Sequence, residues 1–402
     1  MKVLIHPGAA RGTVQAPPSK SMAHRLLICA ALAEGESVVR DVDRSEDILA
    51  TADCLTALGA SLSWEGSAVR VRGCDPRKAG PAVLRCRESG STLRFMIPLC
   101  LLSGASMRLE GSETLLSRPL SVYEALCREQ GLSLLRTDSG LLAEGVLAAG
   151  EYTVPGGISS QFVTGLLFAL PLLSDSSRIR LIPPVESRSY LSLTLQALRD
   201  AGVPVSWADN CTLTVPGNAV YRPQDQVVEG DWSNAAFLEA LNCAGGAVTV
   251  TGLRADSLQG DRVYRDYFAR LAAESAELDL SDCPDLAPVL FAVAALCRGG
   301  VFTGTRRLRF KESDRGAAMA REMAKFGVDL VLEENRIIVS AAGLHAPSRP
   351  LDSHNDHRIA MALSLLCTRT GGEIDGAEAV RKSFPDYWNR FRSLGIEVEM
   401  KN

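Results

Sequence analysis

Pro17-Pro18-Ser19-Lys20-Ser21-Met22-Ala23-His24-Arg25 sets hydroxyls, an ammonium and a guanidinium at the head of the apolar run Leu26–Ala33. Two prolines stiffen the approach, and Ser19 or Ser21 can cap a helix starting there. Ser21 and Arg25 are four apart and share one helix face. Lys20 stands beside the open amides of the first turn. Such an end, positive by its dipole and lined with donors, suits a phosphate or a carboxylate. Read alone, the same residues also fit a capped surface helix with solvated cations.

Comparable clusters follow. Ser89-Gly90-Ser91-Thr92 puts a glycine where a ligand could approach the backbone. Arg118 stands just outside a helix that Pro119 starts, and Ser159-Ser160-Gln161 offers two hydroxyls and an amide to a polyol or phosphate. In Arg306–Arg315, Lys311 and Arg315 share a face while Glu312 points elsewhere. A cation pair beside a carboxylate suits an anionic substrate with proton transfer next to it. Asn355-Asp356-His357-Arg358 heads an apolar helix, an expensive place for charge unless capped or liganded. Asp285 follows Pro284 at another helix head, and Lys382 precedes a helix in Lys382-Ser383-Phe384-Pro385-Asp386. Each cluster has an ordinary explanation in a cap, a dipole partner, a solvated face or, for His357, a satisfied core histidine. Nucleotide P-loop and nucleophile-elbow motifs are missing. The five histidines have no metal-site spacing with cysteine; His354 and His357 are three apart without an evident third ligand.

The elements that carry these clusters repeat. An apolar helix after Ser21 leads to the strand pattern Glu36–Val42, an amphipathic helix Ser45–Ala60 and a hairpin of Ser61–Trp64 with Ala68–Arg72. Apolar helices begin near residues 21, 90, 159, 232, 284 and 357, about 70 apart except the fourth, nearer 50. In that shorter interval helix Asp261–Ala273 runs almost directly into Glu277–Leu280, and the hairpin is missing. The sixth unit is cut short at Ile396–Met400, and the strand Lys2–His6 can complete it. An apolar helix is suited to burial on all sides and an amphipathic one to an outer layer. Three units then make a domain and six make two. The chain is expected to start in one domain and return to it: residues 1–18 with 229–402, and an inserted domain 19–228. The polar clusters fall at the same place in every repeat, the head of the buried helix or the loop before the outer one. Their helix dipoles are expected to converge on one anionic ligand zone facing the gap between domains.

The totals agree. At 402 residues the chain is long enough for two domains or more, and 46% hydrophobic with 22% charged content is globular. A net charge of −4 gives no hint of a nucleic-acid binder, so a cationic site must be local. The N-terminal residues are too short in apolar character for a signal peptide, and the longest apolar run, Ala287–Cys297, is too short to span a bilayer. Eleven scattered cysteines without C-x-x-C pairs read as reduced core thiols of a cytoplasmic protein.

With these clusters in hand, nearly the whole chain resembles the EPSP synthase (3-phosphoshikimate 1-carboxyvinyltransferase) family of enolpyruvyl transferases. P-x-S-K-S-x-x-x-R, S-S-Q-F, K-E-S-D-R, N-D-H-R-x-A-M and K-S-F-P-D-Y occur in family order. The resemblance implies an α/β fold: a two-domain inside-out α/β barrel of six βαβαββ units, pseudo-threefold in each domain, with the fourth unit shortened here. It implies that shikimate 3-phosphate is held by Lys20, Ser21, Arg25, Ser159, Ser160, Gln161, Ser187, Tyr190, Asp285 and Lys311. It implies phosphoenolpyruvate at Lys20, Gly90, Arg118, Gln161, Arg315, Arg358 and Lys382. Arg307 departs from the Asn or His often found in the family, and Phe95 from a common proline.

The implied reaction is addition then elimination. The 5-hydroxyl attacks C2 of phosphoenolpyruvate while C3 takes a proton, and the adduct loses phosphate. Asp285 is placed to handle the hydroxyl proton, and Glu312 or Lys20 the methylene proton. The cations hold carboxylate and phosphate, and domain closure is expected to exclude water. No metal or organic cofactor is implied, nor any nucleic-acid or membrane partner. A monomer is the family default, and glyphosate is expected to compete with phosphoenolpyruvate. Two alternatives share the scaffold: UDP-N-acetylglucosamine enolpyruvyl transferase, whose nucleotide motifs and loop cysteine are not visible, and a non-catalytic anion-binding protein, which would not need the carboxylates.

Overall fold

The computed structural model describes residues 1–341 and 343–401. The chain forms two compact units, Pro18–Glu229 and the discontinuous Met1–Pro17 with Gly230–Asn402. Each has its own hydrophobic core. Among the described residues there are six sheets, five of four strands and one of two. They remain separate sheets, laid around helices, and do not join edge to edge.

In the inserted unit the buried helices are α1 (Lys20–Leu32), α3 (Gly90–Cys100) and α6 (Ser160–Ala169); α2 (Glu46–Ala57), α5 (Ser121–Glu129) and α7 (Arg188–Asp200) follow them, and α4 (Glu113–Leu116) is a single turn. Residues Met22–Leu32 of α1 are all buried, His24 and Arg25 included, and each Leu or Ile of the apolar run so placed contributes roughly 1.5–3 kcal/mol. The outer helices α5 and α7 bury one face only. Each of the three sheets uses the same order: a first strand parallel to the second, a third antiparallel to the second, and a fourth antiparallel to the third. The first strands of two units, Ala82–Arg85 and Glu151–Pro155, escape the sequence reading because they are short and lie in loop-like stretches. The first unit borrows its own from Asp225–Val227, at the far end of the inserted segment.

The α3–α6 packing bears on the site. Gly165 has no side chain, and a Cβ there would stand 2.3 Å from the Tyr123 hydroxyl and 2.5 Å from the Arg94 carbonyl. Tyr123 uses that space to donate to the carbonyls of Arg94 and Phe162 at 2.8 and 2.9 Å.

The discontinuous unit is built on α8 (Trp232–Glu239), α10 (Ala287–Leu296) and α12 (His357–Thr370), with α9 (Tyr264–Ala273), α11 (Arg315–Met323) and α13 (Tyr387–Ser393) around them. The shortened fourth unit is a two-stranded parallel sheet of Arg11–Gln15 and Ala247–Thr251, without a hairpin. Ala276–Asp279, which follows α9, opens the fifth sheet instead. The sixth is completed by both ends of the chain: Lys2–Ile5 pairs antiparallel with Gly372–Asp375 and with Val398–Lys401. No helix among the described residues is long and apolar enough to cross a membrane.

Candidate active site

In the inserted unit all three buried helices start on serine. Ser19, Ser89 and Ser159 accept the backbone N–H groups of Met22, Thr92 and Gln161 at 3.4, 3.2 and 3.3 Å. A neutral cap satisfies one amide and leaves the positive end of the dipole available to a ligand.

Lys20, first in α1, is paired with Asp47 of α2 at 2.7 Å. Arg25, one turn on, is 3% exposed and donates to the Thr194 hydroxyl at 2.9 Å and to the carbonyls of Ser21 and Tyr190 at 2.5 and 3.1 Å. Among the described residues none of its partners is a carboxylate. Burial accordingly pulls its pKa down, to about 10, and an anion bound there would reverse that pull. Its guanidinium also lies over the Phe95 ring, 5.7 Å from the centroid, which gives Phe95 a positioning task on α3. Ser187, left-handed at φ 56°, precedes α7, and its carbonyl accepts from the Tyr190 N–H at 3.2 Å.

Gly90 opens α3 beside two cations. A Cβ there would stand 2.6 Å from Arg118 Nη1 and 3.4 Å from Arg94 Nη1. Arg118 is buried, its Nε has no acceptor, and among the described residues no carboxylate faces it. Arg94 donates to Gln161 Oε1 at 2.6 Å, and Gln161 Nε2 to Ser91 Oγ at 2.9 Å. Gly90, Arg118 and Gln161, from three separate stretches of sequence, thus share one surface, with Ser160 at the head of α6 beside Gln161.

The discontinuous unit is arranged differently. Its buried helices α8 and α12 are capped by Asp231 and Asp356, which accept from Asn234 and Arg358 N–H at 2.8 and 2.9 Å. Asp285, just before α10, accepts from Arg315 Nη1 at 2.8 Å, Lys311 Nζ at 3.1 Å and Arg358 Nη2 at 3.1 Å. Burial would push its carboxyl up, but Arg358, Lys311 and Arg315 outweigh burial and hold it well below the usual carboxylate range. Arg315 is 1% exposed and also meets Asp356 at 2.8 Å and Glu312 at 2.7 Å. Burial pulls the Lys311 ammonium below its ordinary pKa, with Arg315 and Arg307 adding to the pull against Asp285. Arg307 is itself buried and donates to the Ser281 carbonyl. Arg358 donates to Ser233 Oγ at 2.5 Å. Lys382 donates to the Asn355 carbonyl at 2.6 Å. His357 is 1% exposed at the start of α12, 3.9 Å from Asp356.

Asp47, Asp356 as the partner of Arg315, and Asp261 lie outside the sequence-based set. Each is a helix-start carboxylate, the most ordinary place for an acid, so local sequence carries no signal for its long-range partner. Asp261 is 4% exposed; burial, and next the negative charge of Asp285, push its carboxyl up to about 7.

Comparison with known proteins shows the family and the fold. A profile of EPSP synthase (3-phosphoshikimate 1-carboxyvinyltransferase) matches residues 5–391. The 3-phosphoshikimate 1-carboxyvinyltransferase of Clostridium kluyveri is 38% identical, the alignment covering 99% of this chain and 98% of that protein. That of Clostridium perfringens strain 13 is 39% identical, covering 98% of each. The fold is similar to that of EPSP synthase from Acinetobacter baumannii, with a TM-score of 0.78 over 99% of this chain and 100% of that one, at 22% identity.

Proposed function

The chain belongs to the EPSP synthase (3-phosphoshikimate 1-carboxyvinyltransferase) family, and from that premise we propose how its residues carry out the family's reaction. The enolpyruvyl group of phosphoenolpyruvate passes to the 5-hydroxyl of shikimate 3-phosphate, releasing phosphate. Arg25, Lys20 and Ser21, the serines and amide of Ser159-Ser160-Gln161, and Ser187 and Tyr190 hold shikimate 3-phosphate, with Asp285 and Lys311 engaging its hydroxyls. Lys20, Gly90, Arg118, Gln161, Arg315, Arg358 and Lys382 hold phosphoenolpyruvate.

The observation that carries this reading is Arg118: a buried guanidinium with no counter-charge among the described residues, against a backbone position where even a methyl group would collide with it. Such a charge is costly unless an anion joins it. Asp285 enters the reaction ionised, so it can accept the 5-hydroxyl proton, although three cations make it a weak base. It gains strength as substrate anions draw those cations away. Glu312, fixed through Arg315 at 2.7 Å, or Lys20 supplies the proton to C3. The protein works as a cytoplasmic monomer in this reading.

The test is phosphate release from phosphoenolpyruvate with and without shikimate 3-phosphate. Release that requires shikimate 3-phosphate is expected. Release that requires UDP-N-acetylglucosamine, or none with either acceptor, would overturn the reading.

A further inference from the structure

Helix α11 carries an acid, two turns past Arg315, that the reaction does not use directly. Glu322 is 1% exposed. Its Oε2 accepts from Lys325 Nζ at 2.6 Å and from the Asp352 N–H at 2.8 Å, and its Oε1 lies 3.1 Å from His354 Nε2. Lys325 also donates to the Pro350 carbonyl at 2.8 Å. Burial alone would raise the Glu322 carboxyl, but the bonds from His354, Lys325 and Asp352 overcome it and hold the group below its ordinary value.

What this carboxylate grips is a turn in a rare conformation. His354 and Asn355 stand at φ 51° and 53°, and two consecutive left-handed residues other than glycine need outside support. Local bonds supply part of it: His354 N–H to Asp352 Oδ1 at 2.7 Å, Asn355 N–H to Ser353 Oγ at 3.2 Å and Asp356 N–H to the Ser353 carbonyl at 2.9 Å. The turn delivers two groups to the site. The Asn355 carbonyl receives Lys382 Nζ at 2.6 Å, and Asp356 receives Arg315 Nε at 2.8 Å. Helix α11 therefore holds the turn from both sides, Arg315 at Asp356 and Glu322 at Asp352 and His354.

We propose that Glu322 is a positioning residue for phosphoenolpyruvate: by fixing the left-handed pair His354–Asn355 it sets where Asn355 holds Lys382 and where Asp356 holds Arg315. The inference rests on the reading that Lys382 and Arg315 bind phosphoenolpyruvate. Glu322 acts through the turn and needs no contact with substrate.

Glu322→Gln keeps the shape and removes the charge. Its KM for phosphoenolpyruvate is expected to rise about ten-fold or more, with KM for shikimate 3-phosphate changed by less than about two-fold. His354→Ala leaves the Glu322–Lys325 pair intact and moves the same constant by a smaller factor. His354→Gly, at ease with positive φ, recovers part of the Ala loss. Leu363→Ala, in the core of α12, controls for lost stability: it lowers Tm without splitting the two constants.

A second readout does not depend on turnover. Acetic anhydride labelling of Lys382, followed by peptide mass spectrometry, should speed up several-fold in Glu322→Gln and in His354→Ala as Nζ loses its fixed acceptor. If Glu322→Gln does not fold, His354→Ala decides. Folded variants with both the phosphoenolpyruvate KM and Lys382 labelling within about two-fold of wild type, or with both KM values rising together, would overturn the proposal. If the wild-type protein shows no release dependent on shikimate 3-phosphate, the functional reading fails, and the labelling rates still decide whether Glu322 holds the turn.

Discussion

The two units present their buried site arginines in opposite ways, although Lys20 of the inserted unit pairs with Asp47 at 2.7 Å. The inserted unit caps its buried helices with Ser19, Ser89 and Ser159, and leaves Arg25 and Arg118 buried without a carboxylate among the described residues. The discontinuous unit caps α8 and α12 with Asp231 and Asp356, and surrounds Arg315 and Arg358 with Asp285, Asp356 and Glu312. A buried unpaired cation binds an anion strongly but does nothing for a proton. A cation matched to a carboxylate binds an anion less strongly, yet it holds a group that can take or give a proton. The first arrangement suits holding a phosphorylated substrate, and the second suits the addition and elimination steps.

The largest effect is expected where the second arrangement loses its shared carboxylate. Asp285→Asn should lower kcat by about 10³-fold, measured by steady-state phosphate release, while binding of shikimate 3-phosphate changes far less. Lys20→Ala should follow at about 10²- to 10³-fold.

Making the first arrangement resemble the second is the next test. Ser89→Asp caps a helix as well as serine does, so the fold should persist. The added charge should weaken phosphoenolpyruvate binding about ten-fold, read as KM with kcat little changed. Gly90→Ala should act more mildly, raising that KM several-fold as the far end of Arg118 moves away from the new methyl.

The smallest effect concerns pH. Asp261, raised to about 7, binds a proton more tightly folded than unfolded. Its contribution therefore falls as pH rises from about 4 to 7, because the unfolded chain releases that proton first. Asp261→Asn should remove this loss, on the order of 4 kcal/mol at most, and stabilise the protein more at pH 8 than at pH 5 in urea unfolding. Asp285 has the opposite sign: its stabilisation is present above the ordinary carboxylate range and is lost as pH falls through its depressed value. A flat difference between wild type and Asp261→Asn would contradict the burial argument.

Much of this was legible in the sequence. The six apolar helices stand where their unbroken runs place them, and the missing hairpin of the fourth unit is real, because Ala276–Asp279 belongs to the next sheet. The repeat also explains why Gly90, Arg118 and Gln161 share one surface although 71 positions (90 to 161) separate the outer two. What the sequence hid were partners. Asp47 with Lys20, Asp356 with Arg315 and Glu322 with His354 are each set by helix packing across 27, 41 and 32 positions. The left-handed turn at His354–Asn355 was also hidden, since neither residue is glycine. Strands such as Leu351–Asp352 were too short to show a period.

The most direct measurement is calorimetric titration of shikimate 3-phosphate into wild type and into Arg25→Gln. If Arg25 and Arg118, which meet no carboxylate among the described residues, are what the substrate's anion satisfies, Arg25→Gln should bind about 100-fold more weakly in a folded protein. Equal affinity in the two would contradict the account, because the buried charge of Arg25 would then be structural.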